Sequence, residues 1–178
     1  CPVVLTVHDL LFLTMSELRG IRRALYDRSY ILLRHRMLDR AAAILTVSTV
    51  SRDDLVRLFG ISADRIRVIP NAVAGGYRRV EDPGEIERVK SAYGLTGCYL
   101  MHVGNFKPHK NTKALLEAYS RLSKPLQERY RLLLCGYPDG SGEDVRRAAA
   151  ARGLSERVVF PGGVAEGDLP ALYSGASA

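Results

Sequence analysis

The stretch Tyr99-Leu100-Met101-His102-Val103-Gly104-Asn105-Phe106-Lys107-Pro108-His109-Lys110-Asn111-Thr112 decides how this chain is read. Tyr99 to Val103 is an apolar run of strand length. It stops at Gly104, passes through a turn carrying Lys107 and Lys110, and gives way at Thr112 to a helical pattern that continues to Leu122. Strand, short loop and helix in that order form the repeating unit of a parallel sheet with crossover helices. The same unit recurs downstream. Strand Leu132 to Cys135 precedes helix Glu143 to Arg152, and strand Val158 to Phe160 precedes a short helix from Asp168 to Tyr173.

Upstream the alternation also holds. Val3 to Val7 reads as a buried strand ending at His8-Asp9, and a helical pattern follows from about Arg19 to Arg40. Ala43 to Val47 is the next strand. Ser48-Thr49-Val50-Ser51 then supplies capping hydroxyls for a helix through Phe59, with Gly60 placed to stop it, and Ile66 to Ile69 is a third strand. Between Asn71 and Pro83 periodicity vanishes, which marks a domain junction. A helix over Gly84 to Tyr93, with Pro83 in its first turn, opens the second half. The expected organisation is therefore two α/β domains, residues 1–80 and 81–178.

Composition narrows the class. Formal net charge is +7 over 178 residues, with 47% hydrophobic and 25% charged residues, as in a globular protein. Residues 1–80 hold 13 arginines and no lysine against 7 acids, so the basic excess belongs to the first half. No apolar run approaches the length of a membrane span. Cys1, Cys98 and Cys135 are odd in number and far apart. They read as small core residues of a reducing compartment, and the expected location is cytoplasmic. The chain opens on Cys1-Pro2 and stops after a helix, so both ends are expected to be missing. The arginines between Arg19 and Arg40 read as a solvated helix face packed through Leu and Tyr positions. The alternative is peripheral contact with anionic lipid at the inner face of the membrane. Nucleic acid is not expected as a partner, because the basic residues lack interleaved surface aromatics.

In open parallel sheets the ligand crevice lies beyond the carboxyl ends of the strands. That rule selects the loops beginning at His8-Asp9, Gly104-Asn105, Gly136-Tyr137 and Pro161-Gly162-Gly163. In the second loop, Gly104 admits a ligand to the backbone and Lys107 and Lys110 supply charge. Asn111 is placed to cap a helix whose free N–H groups favour an anion. A phosphate-bearing ligand suits all of these features, whereas a polar surface connection is the plainer reading. Neither G-x-x-x-x-G-K-[ST] nor G-x-G-x-x-G occurs after a strand, so a P-loop nucleotidase and a dinucleotide dehydrogenase lack direct support. His8, at a strand's carboxyl end, is suited to a sugar hydroxyl or a reacting group, although a lone histidine there is more often structural.

Taken together these motifs resemble the retaining, GT-B-fold glycosyltransferases of the large group 1 family, bacterial mannosyltransferases included. The resemblance rests on Thr6-Val7-His8-Asp9-Leu10, Ile44 to Ser51 and Val68-Ile69-Pro70-Asn71-Ala72-Val73. In the second half it rests on His102 to Asn111, Leu132 to Gly136, Val158 to Val164 and Leu169-Pro170-Ala171-Leu172-Tyr173. It implies an α/β fold of two Rossmann-like parallel-sheet domains, the first binding the acceptor and the second the donor. It further implies a nucleotide-sugar co-substrate, a GDP- or UDP-sugar such as one carrying mannose, and no cofactor or essential metal. The acceptor would be a glycan or lipid-linked. The implied catalytic residues are His8, facing the transferred sugar, and Lys110, on the donor diphosphate. Gly104, Asn105, Lys107, Lys110, Gly136, Gly163 and Val164 would bind the donor. One departure stands out: the family commonly carries Arg where this chain has Asn105, and the flexible Lys107 ammonium is not equivalent to a guanidinium. The family's pair of glutamates after the Leu-Tyr helix is not reached before Ala178, so the chain alone is expected to be inactive. The rival reading is a non-catalytic nucleotide or sugar-phosphate binding module. A glutamate pair encoded beyond Ala178 would separate the two. A receiver-like interaction domain is disfavoured by the lack of a clustered acidic site.

Overall fold

A computed structural model of the chain describes residues 2–14, 35–136 and 140–178. The chain divides into two compact units, Cys1–Val73 and Ala74–Ala178. The break falls inside the aperiodic stretch, but earlier than the sequence-based boundary at residue 80. Residues 74–80 go with the second unit because Val80 packs against its core and donates its N–H to Ser174 Oγ at 2.9 Å.

The first unit contains β1 (Val4–Val7), α1 (Leu11–Thr14), β2 (Ala43–Thr46), α2 (Thr49–Phe59) and β3 (Ile66–Val68). Its strands form one parallel sheet in the order β1-β2-β3, with Val7 beside Thr46 and Thr46 beside Val68. Ser48 caps α2 by accepting the Ser51 N–H at 3.1 Å, a contact worth about 1 kcal/mol. Gly60 ends the helix with φ 64°, where a side chain would be strained. One face of the sheet buries Val7, Ile44 and Ile66 against Leu55 and Phe59 of α2, together with Leu10 and Leu38. Leu38 lies in helical residues 35–40. The rest of the arginine-bearing segment, from 19 to 34, lies outside the described residues, and with it most of the membrane-contact expectation.

The second unit runs α3 (Pro83–Ala92), β4 (Cys98–Val103), α4 (Thr112–Ser120), α5 (Lys124–Arg129), β5 (Tyr130–Cys135), α6 (Gly140–Ala150), β6 (Val158–Gly162) and α7 (Leu169–Gly175). Its sheet is again parallel, in the order β4-β5-β6. β5 is central and shows no polar alternation, as expected of a strand covered on both faces. Leu132 and Leu134 pack with Leu116 and Tyr119 of α4 and Val145 and Ala149 of α6. Leu133 and Cys135 pack on the other face with Val89 of α3 and Ala171 and Leu172 of α7. Fully burying a side chain such as Leu133 contributes roughly 2 kcal/mol. Asp82 caps α3 through the Gly84 N–H at 2.9 Å, with Pro83 in the first turn as the sequence predicts.

Three expectations change. Cys98 is exposed at the start of β4 and is not a core residue; Cys135 is buried as expected, and Cys1 lies outside the described residues. Pro161, placed in a loop from sequence, is within β6, where the pairing with β5 is irregular. Helix α5 goes unpredicted. Side-chain bonds brace it at both ends: Gln127 Nε2 donates to Leu122 O at 2.8 Å, and Tyr119 OH of α4 donates to Tyr130 O, the residue after the helix, at 2.7 Å. Among the described residues no helix is long and apolar enough to cross a membrane.

Candidate functional site

The carboxyl ends of β4, β5 and β6 bring three glycine-bearing loops side by side. The hydrogen-bond ladder continues past the strands, with Gly104 N–H donating to Cys135 O at 3.0 Å and Gly136 N–H to Gly162 O at 3.1 Å. Gly136 is pressed so closely against its neighbour that a Cβ there would sit 2.2 Å from the Gly104 carbonyl oxygen and 3.1 Å from the Phe106 ring. Phe106 is buried and meets Phe160 edge-on at 6.3 Å, which pins the loop to the core between Gly104 and the basic turn.

Beyond Phe106 the chain makes a 3-10 turn, Pro108–Lys110, and opens α4. The Lys110 N–H donates to Lys107 O at 2.9 Å. Lys107 and Lys110 are exposed, and neither has a carboxylate partner among the described residues. Asn111 does not cap α4 with its side chain. Its backbone is left-handed, φ 51°, unlike the extended backbone from which a cap side chain reaches back; only its carbonyl serves, accepting the Ala114 N–H at 3.0 Å. The Asn105 side chain folds over locally and accepts the Lys107 N–H at 3.4 Å.

Two polar atoms at this loop were not singled out from the sequence. His102 Nε2 and Thr112 Oγ1 are buried without a hydrogen-bond partner. Such atoms cost about 1–3 kcal/mol each, so their concentration here is informative. Their only sequence signals are a histidine inside an apolar strand and a hydroxyl at the first helical position. Burial, and secondarily the Lys110 ammonium, hold the His102 imidazole below its ordinary range. The folded protein therefore takes up this proton less readily than the unfolded chain. Stability is whole above the ordinary imidazole value of about 6.5 and declines as pH falls through the lower folded value. Urea midpoints are expected to fall between about pH 7.5 and about pH 5, and His102→Gln to shrink that difference. An unchanged difference in the variant would remove His102 as its source.

The remaining candidates are placed as follows. Gly163 is exposed, next to Gly162, whose carbonyl receives Gly136. The Val164 side chain packs into the second unit's core, leaving its backbone as the part open to a ligand. Tyr137 lies outside the described residues. His8 follows buried Val7 at the end of β1 in the first unit, is exposed, and accepts the Ser51 hydroxyl at its carbonyl at 3.1 Å. Asp9 Oδ1 accepts the Leu11 N–H at 3.2 Å and so fixes the turn into α1. Gly104, Asn105, Lys107, Lys110, Gly136 and Gly163 thus gather at one sheet end within the second unit, and His8 stands at the corresponding end of the first unit's sheet.

Comparisons to known proteins identify the family and the fold. Residues 1–74 match the family described as Glycosyltransferase Family 4, and residues 85–178 match Glycosyl transferases group 1. The chain belongs to the glycosyl transferases group 1 family. It is 36% identical over 175 residues to the O-antigen chain mannosyltransferase B of Escherichia coli, covering 97% of this chain and 45% of that protein. It is 30% identical over 177 residues to the serotype-specific mannosyltransferase WbdA of Escherichia coli, covering 96% of this chain and 21% of that one. The chain therefore spans less than half the length of these group 1 relatives. Among solved structures, Anabaena Alr3699/HepE in complex with UDP-glucose superposes with a TM-score of 0.77 at 19% identity, over 98% of this chain and 45% of that chain. WaaG, a glycosyltransferase involved in lipopolysaccharide biosynthesis, superposes with a TM-score of 0.75 at 17% identity, over 97% of this chain and 48% of that one. The fold is the GT-B type, with its two parallel three-stranded sheets.

Proposed function

We propose that this chain is the portion of a hexosyltransferase that holds the diphosphate of a nucleotide-sugar donor on the turn between β4 and α4. The observation that carries the reading is the pinned turn itself. Two ammonium groups without carboxylate partners and the opening amides of a nine-residue helix follow Gly104 in the chain, where a Cβ would meet only the His102 ring at 3.7 Å and the backbone is open to approach. The names of the relatives support mannose as the transferred sugar and an O-antigen polysaccharide as acceptor. The UDP-glucose complex of a structural neighbour supports a nucleotide-sugar donor. GDP-mannose is the donor most in keeping with the sequence relatives.

Transfer breaks the bond between the sugar's anomeric carbon and the diphosphate oxygen and forms one to an acceptor hydroxyl. The bonding electron pair stays on the diphosphate oxygen as the nucleoside diphosphate departs, and the acceptor hydroxyl gives up its proton to the departing diphosphate. Negative charge grows on that oxygen, so donors held in place beforehand lower the barrier. Lys110, Lys107 and the first amides of α4 fill this role in the second unit, and the proposed transfer retains the anomeric configuration. Asn105 supplies no charge where relatives commonly place arginine, so Asn105→Arg is expected to tighten binding of a nucleoside diphosphate roughly tenfold, one charge-assisted hydrogen bond's worth. Calorimetric titration with GDP-mannose, GDP and UDP tests both ideas. Saturable binding that shifts the backbone amide resonances of residues 104–113 is the expected result. The absence of binding to any of the three would remove the proposal.

A further inference from the structure

The loop at the sheet end is not the only place prepared for an anion. Residues 77–79 and α7 border an open surface pocket of about 450 Å³, lined by Tyr77, Arg78, Arg79, Pro170, Tyr173 and Ser174. That volume is in the range of small-molecule sites, roughly 300–1,000 Å³. None of these six residues belongs to the loops at the carboxyl ends of β4, β5 and β6.

The backbone carrying the arginines is fixed. Tyr77 N–H donates to Ala74 O at 2.9 Å, Arg78 N–H to Gly76 O at 3.2 Å, and Val80 N–H to Ser174 Oγ at 2.9 Å. The Ser174 hydroxyl in turn donates to Pro170 O at 2.7 Å, so its hydrogen is already used. The two guanidinium groups are not. Arg78 and Arg79, like Arg36, Arg40, Arg67 and Arg157, meet no carboxylate among the described residues, so both guanidinium groups are available to a ligand. Asp82, close by in sequence, is turned away to cap α3.

A helix C-terminus would ordinarily repel an anion. Here the nearby carbonyls are occupied, Pro170 O by Ser174 and Leu172 O by the Tyr99 hydroxyl at 2.5 Å and the Ala176 N–H at 3.1 Å. Tyr77 and Tyr173 complete the walls, and Tyr173 is half exposed. Their rings offer flat apolar faces with a hydroxyl at the edge, a surface suited to the C–H face of a sugar ring, while paired guanidinium forks suit phosphate oxygens.

We propose that this pocket is a second ligand site, separate from the donor loop, which takes a hexose phosphate. The arginines hold the phosphate and the tyrosines hold the ring.

Calorimetric titration of the whole chain with mannose 1-phosphate tests this, with inorganic phosphate and free mannose as parallel arms. The expected result is saturable binding of mannose 1-phosphate that is tighter than that of phosphate, with none for mannose. Binding should weaken at least tenfold in Arg78→Ala/Arg79→Ala, several-fold in Tyr173→Ala, and not at all in Lys110→Ala. Both arginines are exposed, so the double variant should melt at the parent temperature. If it does not, Arg78→Gln/Arg79→Gln replaces it in the same comparison. Absence of binding at millimolar ligand, or binding indifferent to the arginine change, would overturn the proposal. So would phosphate binding as tightly as the sugar phosphate. Loss of binding in Lys110→Ala would assign the ligand to the donor loop and also overturn it. Because nucleoside diphosphate binding is measured separately, this site and the donor reading fail independently.

Discussion

Lys110→Ala weakens binding of a nucleoside diphosphate by about tenfold to a hundredfold and leaves the melting temperature near that of the parent. The size follows from one charge-assisted hydrogen bond, about 1.5–3 kcal/mol, at about 1.4 kcal/mol per factor of ten. The lack of effect on folding follows from position. Lys110 is exposed at the end of the 3-10 turn, has no carboxylate partner among the described residues, and lends the fold only its backbone N–H, which alanine retains. In the complete polypeptide the effect on turnover should equal or exceed the effect on binding, because charge on the leaving oxygen is greatest in the transition state. Calorimetry on the variant and a transfer assay with GDP-mannose provide the two measurements. Unchanged affinity together with unchanged turnover would dismiss the diphosphate role of this turn.

Gly136→Ala is expected to be the most damaging single change to the second unit. The added carbon would stand 2.2 Å from the Gly104 carbonyl oxygen, which is backbone and cannot rotate aside, and 3.1 Å from Phe106. Relief requires β4 and β5 to part at their carboxyl ends, where the Gly104 N–H bond to Cys135 O closes the ladder. Overpacking of this kind costs about 3 kcal/mol. The urea midpoint should fall accordingly, and nucleotide binding should weaken as well because the displaced strand carries the turn proposed to hold the donor. A variant with the parent's midpoint would mean that the two loops are not packed as described. Gly60→Ala, by contrast, meets no atom within 4 Å and strains only its own φ of 64°.

Particular elements show how far local chemistry carries. All six strands were predictable because each is a short apolar run between polar breaks, and the cap at Ser48 and the stop at Gly60 could be read from residue type alone. The turn between β4 and α4 was equally readable: a glycine after a strand, two lysines, then a helix. Asn111 misled because the residue type permits a cap while its left-handed backbone forbids the geometry. Helix α5 was missed because it depends on Gln127 and Tyr119 reaching backbone carbonyls outside it.

By itself the sequence determined the alternation of strands and helices, the parallel sense of both sheets, the family, and the placing of Lys107 and Lys110 at a strand's carboxyl end. These follow from periodicity and residue type over a few consecutive positions. Only the tertiary structure decided that residues 74–80 join the second unit and that Gly136 abuts Gly104. It alone decided that His102 and Thr112 carry unpartnered polar atoms beneath the turn, and that Arg78 and Arg79 share a pocket with Tyr173. Each of these depends on atoms far apart along the chain meeting in space, and no local pattern records where such atoms meet.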